Sequence, residues 1–549
     1  MFIKRNRSVQ NGKTYTSVLL VQGERVPVPR KPGRPRADEV RATKVVHRTL
    51  ANLSKLPEPL VALIERFCKA ERAGEPLDAL VGTGDPTIGP GYGQLAACLA
   101  VARQLGIERV LGQDRLGRLA LFLVLARVIH QGSRLSSVRW AQDHAVGPLL
   151  GLGSFDEDDL YEALDWLEEH QDAIEDALAP KAAEGAVFLY DVTSTYFEGQ
   201  HNELAAPGYN RDGKRYKKIL VAGLLTDGHG EPISVQLYPG NTSDPATVED
   251  QVLKLEERFG AAETVFVGDR GMVKAKGKAL LGQYGFRYVS SLTKPEIRKL
   301  LKKDLLQLDL FDEELTEVDG GEGRRWILRL NPATRDRARS RRADQLAKVR
   351  RKIEARNAKV ESSPRSEPEV SLRQAEELLK TYKLQRFVDA RLEGRNVVLQ
   401  VDPARQADVE LLDGCYVVES DVPSKAASTE TLWERYGDLQ DVERDFRTLK
   451  TDFLELRPIF HRKASRTRGL AVVAMLALKI VRALRKQLKP LAMSVPDAIE
   501  RLAGVRLITL ADPELALWRL PSRWPQPVQQ LLDVLPRLPT PTLSLANPV

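Results

Sequence analysis

Two aspartates in this chain stand where apolar, β-rich runs break or end: Asp191 inside FLYDVTS and Asp269 directly after TVFVG. A charge attached to such a run is costly unless it sits at a strand end or meets a cation. For a lone Asp, capping or turn formation is the plain alternative; two of them on neighbouring strands carry more information. Carboxylate oxygens suit hard Mg²⁺ or Mn²⁺. Two such ions with an in-line nucleophile are what phosphodiester cleavage and transfer need. A third acid must come from a helix, and the segment YGDLQDVERDFRTLKTDF offers several. Within it Leu439, Val442, Phe446, Leu449 and Phe453 are spaced 3, 4, 3, 4 and predict a buried seam. Tyr436, Glu443 and Lys450 are each seven apart, so they share one row beside that seam. Asp438, Asp441 and Asp445 point elsewhere. Glu443 is therefore the expected third acid, flanked by a hydroxyl and an ammonium suited to phosphates. The competing reading, an ordinary amphipathic helix, loses to the strand pair.

The elements that must position these groups follow from periodicity. AVFLYDVTSTYF, KKILVAGLLTD and PISVQLYPG read as three successive strands, Val248–Phe259 as a helix, and TVFVGD as a buried fourth strand. That order fits an RNase H-like α/β domain, in which the first and fourth strands lie side by side. After FRYVSSL (286–292) the pattern is lost. Residues 296–400 are then charged, with strands near WILRL and NVVLQV, too long for a loop and expected to be an inserted β-containing subdomain. YVVES leads into a helical pattern from Glu430 to about Leu488. Upstream, residues 1–30 predict a β-hairpin around Asn11-Gly12, followed by the Pro/Arg linker VPVPRKPGRPR. Residues 40–180 read as helical, with Ser154-x-x-Glu157 as a capping box.

The expected organisation is thus a basic hairpin and linker (1–36), a helical DNA-end-binding domain (37–182), an RNase H-like core in two parts (183–295 and 429–490) around an insertion (296–428), and a helical tail (491–549).

Composition narrows the class. The 549 residues are 42% hydrophobic and 29% charged, enough apolar material for several cores. Three separated cysteines exclude a disulfide scaffold or zinc module, and no glycine-rich nucleotide motif is present. The N-terminus lacks a signal-peptide core and no apolar run is long enough to span a membrane, so a cytoplasmic, nucleoid-associated protein is expected. The net charge of +8 is unevenly spread. Residues 1–36 hold nine cations against Glu24, residues 335–359 eleven against three acids, and residues 444–468 eight against three. Asp156 to Asp176 contains eleven acids and no Lys or Arg. Separated basic patches suggest an extended polyanion such as DNA, though any one patch alone reads equally well as a solvated helix face. Arg34 and Arg36 of KPGRPR have the character of minor-groove contacts, with a basic spacer as the plainer reading. Trp433 has a ring to stack on an unpaired base, against a competing role in core packing.

DVTS, GNTSD (Gly240–Asp244), GDRG (Gly268–Gly271) and ERDFRTLKTDFLELRPIFH (Glu443–His461) together resemble the DDE transposases of bacterial insertion sequences, specifically the insertion sequence four family with its Tyr/Arg/Glu/Lys signature. The resemblance covers roughly residues 85–490. It implies that Asp191, Asp269 and Glu443 are a metal-binding triad for two Mg²⁺ (or Mn²⁺) ions, with Tyr436 and Lys450 contacting phosphates. The signature's arginine position is Leu439 here, and Arg447, one turn beyond Glu443, is the candidate substitute. Arg270 and His461 are further expected DNA contacts; the place of a second histidine is taken by Leu470. The resemblance also implies that residues 275–430 help hold the transposon end, and that two protomers synapse terminal inverted repeats, cut them and join the 3′-hydroxyl to target DNA. A metal-dependent nuclease without strand transfer, a catalytically silent repressor derived from a transposase, and a scaffold with structural acids are the rival readings.

Overall fold

The computed structural model describes residues 1–10, 13–27, 43–74, 87–179, 186–209, 216–259, 264–270, 272–363, 365–452, 459–510, 517–519 and 524–540. The chain forms two compact units: Glu175–Ala471, and Met1–Ile174 together with Val472–Val549.

An eight-stranded mixed sheet runs through the Glu175–Ala471 unit. Its strands are β1 (Val187–Tyr196), β2 (Ile219–Asp227), β3 (Pro232–Pro239), β4 (Val265–Gly268), β5 (Arg287–Ser291), β6 (Thr316–Gly321), β7 (Arg324–Leu330) and β8 (Cys415–Ser420). Their spatial order is β6-β7-β8-β5-β4-β1-β2-β3. β1, β2 and β3 form an antiparallel meander, while β4 runs parallel to β1 and β5 parallel to β4. Such pairings need crossovers. Helix α1 (Asp244–Lys254) with its π turn Leu255–Phe259 joins β3 to β4, and α2 (Ala275–Gln283) joins β4 to β5. The order β3-β2-β1-β4-β5 is consistent with an RNase H-like fold. Side chains alternate across each strand, so Phe188, Tyr190 and Val192 pack into one core with Val248 and Val252 of α1, Phe266 and Leu281. Gly240 of GNTSD lies where a Cβ would stand 2.0 Å from the Ile219 carbonyl oxygen, a close approach only glycine permits.

The sheet does not stop at β5. Strands β6, β7 and β8, all from residues 296–428, extend it through the antiparallel β5–β8 pair. The rest of that segment comprises α3 (Lys294–Lys302), α4 (Pro332–Ser362), α5 (Pro368–Thr381), the hairpin Val388–Glu393/Asn396–Val401 and α6 (Pro403–Glu410). Helices α4 and α5 share a small core with the hairpin, built from Val349, Ile353, Leu379 and Val397.

The expected continuous helix from Glu430 is broken. It becomes α7 (Thr429–Gly437), α8 (Leu439–Arg447), a π turn Thr448–Asp452 and, beyond residues outside the description, Ala464–Leu488. Ile459 instead bridges to Phe197 at the end of β1. Gly437 and the wider i→i+5 winding at Thr448 account for the first two breaks.

In the other unit, Phe2–Gln10 pairs antiparallel with Lys13–Pro27, and Thr43–Asn52 adds a third strand where the sequence suggested helix. The β-branched Val45, Val46 and Thr49 account for this. The turn expected at Asn11-Gly12 falls outside the described residues. A second sheet pairs Thr87–Gly91 with Arg506–Leu510, and that strand with Leu517–Arg519, so the tail is not purely helical. The capping box also sits two residues later than expected. The Asp156 side chain accepts from Asp158 and Asp159 N–H groups, and Asp159 returns a bond to Asp156 N. No described helix is long and apolar enough to cross a membrane.

Candidate active site

Asp191 projects from the face of β1 opposite the Phe188–Tyr190–Val192 core, because neighbouring strand residues alternate. The parallel register pairs Val187 with Val265 and ends at Tyr190 with Gly268. Asp191 and Asp269 each follow directly on that last pair, and both line the same cleft. At Asp269 the chain turns out of the sheet: its Oδ1 accepts from Arg270 N at 2.8 Å and its carbonyl accepts from Met272 N at 2.9 Å. Asp191 Oδ1 likewise accepts from Val192 N at 2.8 Å.

Helices α7 and α8 cover this face. Ser428 caps α7 by accepting from Thr431 N at 3.2 Å. In α8 the seam forms as spaced, with Leu439, Val442, Phe446 and, in the following π turn, Leu449 buried; Phe453 lies outside the described residues. Glu443 stays exposed on the flank of the seam. It lines a cleft of about 700 Å³ together with Asp191, Asp269 and Tyr436. Arg270, Arg444 and Arg447 give the same cleft a basic wall, and Arg444 also pairs with Asp441 at 2.6 Å.

Tyr436 connects two parts of the cleft. Its hydroxyl stands 3.3 Å from Asp269 Oδ1 and 2.9 Å from Ser291 Oγ at the end of β5. Burial pushes this phenol up to about 12, so it remains a protonated donor at neutral pH. A carboxylate can only accept, so the phenolic proton belongs to Asp269 while Ser291 supplies the other bond.

Trp433 also lines the cleft. The Arg329 guanidinium lies 5.5 Å from its ring centre and Tyr416 meets it edge-on at 6.4 Å.

Not every expected residue arrives there. Lys450 is 9% exposed and does not line the cleft, because the π turn alters the helical winding ahead of it and takes it out of the row of Tyr436 and Glu443. His461 presents its carbonyl to Asn202 Nδ2 at 2.8 Å, also away from the cleft. Leu470 is buried. Arg34 and Arg36 fall outside the described residues. Conversely, Ser291, Tyr416, Asn331 and Thr334 line the cleft without having been singled out. Asn331 was the most readable of these: it precedes Pro332 and caps α4, accepting from Thr334 N at 3.0 Å.

The donor set is carboxylate oxygen, which suits Mg²⁺ or Mn²⁺. Asp191, Asp269 and Glu443 share the cleft, but among the described residues no three His, Cys, Asp or Glu side chains are gathered closely enough to enclose an ion. Asp269 is turned toward Tyr436.

Known proteins place the chain. No curated protein matches it. Among solved structures it is similar to a piggyBac transposase in a synaptic complex with hairpin DNA, determined by cryo-EM, at 9% identity and a TM-score of 0.36 over 70% of this chain and 69% of the other. The profile of the Transposase DDE domain matches residues 183–479. That span takes in both aspartates, the inserted segment and the Glu443 helix, more than half of the sequence, and the chain belongs to the Transposase DDE domain family.

Proposed function

We propose that this DDE-family protein is a DNA transposase of the insertion sequence four type, which cuts the terminal inverted repeats of its element and joins them to target DNA. The observation that carries the reading is that Asp191, Asp269 and Glu443, 252 positions apart at their extremes, line one basic-walled cleft. Asp191 and Asp269 would hold a divalent ion from the sheet and Glu443 would complete the set from the helix. A divalent ion bound there supplies Lewis acidity and a more acidic bound water.

The chain's own groups do the remaining work. Arg270, Arg444 and Arg447 attract the phosphodiester and fix its orientation, since guanidinium groups match phosphate oxygens. Tyr436 holds Asp269 in one rotamer and offers a hydroxyl at the mouth of the cleft. Hydrolysis of the end forms one P–O bond and breaks another, releasing a 3′-hydroxyl. That hydroxyl then attacks a target phosphodiester, again exchanging one P–O bond for another, so no external energy source is needed. Both ends must be cut together, which two protomers in a synaptic complex would accomplish.

The test uses purified protein and DNA spanning the borders of its own reading frame. Asp191→Asn and Glu443→Gln are each expected to abolish Mg²⁺-dependent strand cleavage while DNA binding persists. Normal cutting by either variant would sink the assignment. Joining of a pre-cut end to a plasmid separates a transposase from a nuclease that only hydrolyses.

A further inference from the structure

Helix α7 carries Tyr436 near its far end, and its near end is tied to the inserted strands β6 and β7. The tie is Arg325 of β7, which is only 8% exposed. Its guanidinium makes four hydrogen bonds in two directions. Nε and Nη2 donate to the two carboxylate oxygens of Glu317 on β6, each at 2.8 Å. Nη1 donates to the carbonyls of Val422 at 3.1 Å and Ala427 at 2.8 Å, which bracket the loop between β8 and α7. Inside that loop the Ala426 and Ala427 N–H groups fold back onto the Pro423 carbonyl. Glu317 in turn accepts from the hydroxyl of Thr429, the first residue of α7. The bond from Arg325 outweighs burial and holds the Glu317 carboxyl below its usual range, with Thr429 acting in the same sense.

A carboxylate alone can pair a buried guanidinium bidentately. Here the rest of the fork goes to the two carbonyls that deliver the chain into α7. That helix is nine residues long and parts from α8 at Asp438, so its angle depends on what holds its ends. At the far end Arg435 reaches the Gly228 carbonyl at 3.3 Å, a weaker bond. Thr429 and Tyr436 are about 10 Å apart along the axis, so a tilt of about 6° at the capped end would move Tyr436 by about 1 Å. Its hydroxyl already stands 3.3 Å from Asp269 Oδ1, and a further 1 Å would break that bond.

We propose that Arg325 is a positioning residue for strand cleavage: through Glu317 and the Val422–Ala427 loop it fixes α7, and α7 holds the Tyr436 hydroxyl against Asp269. Arg325 does not line the cleft and acts only through these contacts. The inserted strands thereby take part in arranging the reacting groups, apart from any contact with DNA. The proposal rests on the transposase reading of the cleft.

The experiment follows Arg325→Lys, which keeps the charge but cannot reproduce the planar fork. It is expected to raise the Mg²⁺ concentration for half-maximal cleavage by about 10-fold while leaving KM for DNA unchanged. In a Tyr436→Phe background the same substitution should add nothing further, because the contact it positions is already gone. Without metal or DNA, hydrogen exchange should quicken at the amides of α7 and stay at the wild-type rate in β1 and β4. Thr429→Val removes only the hydroxyl bond to Glu317 and should shift both measurements the same way and less, which keeps the test open if Arg325→Lys does not fold. Arg324→Gln, next along β7 and paired with Glu322, should change neither. Equal effects of Arg325→Lys with and without Tyr436, or exchange that quickens alike in α7, β1 and β4, would overturn the proposal. So would a wild-type Mg²⁺ requirement in both Arg325→Lys and Thr429→Val. Failure of the wild type to cut any DNA would instead remove the transposase reading, and the exchange measurement would still report whether Arg325 holds α7.

Discussion

The hydroxyl of Tyr436 reaches from the covering helices to a proposed metal ligand, Asp269. It acts as a positioning residue for that carboxylate. Tyr436→Phe should therefore raise the Mg²⁺ concentration needed for half-maximal cleavage, by about 10- to 100-fold if it behaves as outer-shell partners of metal ligands do. Ser291→Ala, one bond further away, should act in the same direction and more weakly. A metal titration of cleavage rate checks both, and an unchanged Mg²⁺ requirement in Tyr436→Phe would refute the role. The phenol is pushed up to about 12, so the neutral donor persists until pH rises through that value. The rate should show no tyrosine-dependent fall between pH 7 and about pH 10. Asp191 and Asp269 could be singled out in the sequence because charges interrupting apolar runs are conspicuous, and Glu443 because it shares a helix row with Tyr436 beside the buried seam. Ser291 could not, since a serine closing a strand carries no signal of what will approach it.

A single buried carboxylate ties three strands of the sheet to helix α2. Glu419 of β8 accepts from Lys278 of α2 at 2.7 Å, from the Tyr288 hydroxyl of β5 at 2.5 Å and from Trp326 Nε1 of β7 at 3.2 Å. Burial works to raise its carboxyl, but the Lys278 and Tyr288 bonds outweigh this and hold it below the usual range. A depressed folded-state pKa stabilises above the unfolded value of about 4.3, and the benefit disappears as pH falls through the folded one. Glu419→Gln should destabilise the protein by about 2 kcal/mol near neutral pH, with the difference shrinking in acid; urea titrations at pH 7 and pH 4 measure it. The strands themselves were legible because their apolar runs are bounded by turn residues. The π turn at Thr448 was not, because a heptad count assumes uniform winding. That assumption put Lys450 on the wrong side. Nor could spacing show that β6, β7 and β8 prolong the central sheet, since pairing between distant strands is decided by register and not by local pattern.

The unit holding the N-terminus is assembled from both ends of the sequence. Thr87–Gly91 finds its sheet partner at Arg506–Leu510, the Tyr92 hydroxyl donates to the Pro539 carbonyl at 2.5 Å, and Gln94 donates to the Ile499 carbonyl. Composition hinted at separate domains but gave no reason to join residues more than 400 positions apart. A fragment of residues 1–174 should consequently be proteolysed rapidly alone and gain protection when residues 472–549 are supplied in trans; equal digestion rates would contradict this. Tyr92→Phe should cost about 1 kcal/mol in the intact protein, read by thermal unfolding. The same arrangement dictates a schedule during synthesis. A ribosome finishes the strands and helices of Glu175–Ala471 while the strand Thr87–Gly91 still lacks its partner. A message truncated after that point yields a polypeptide with the eight-stranded sheet and its cleft complete and its other unit incomplete.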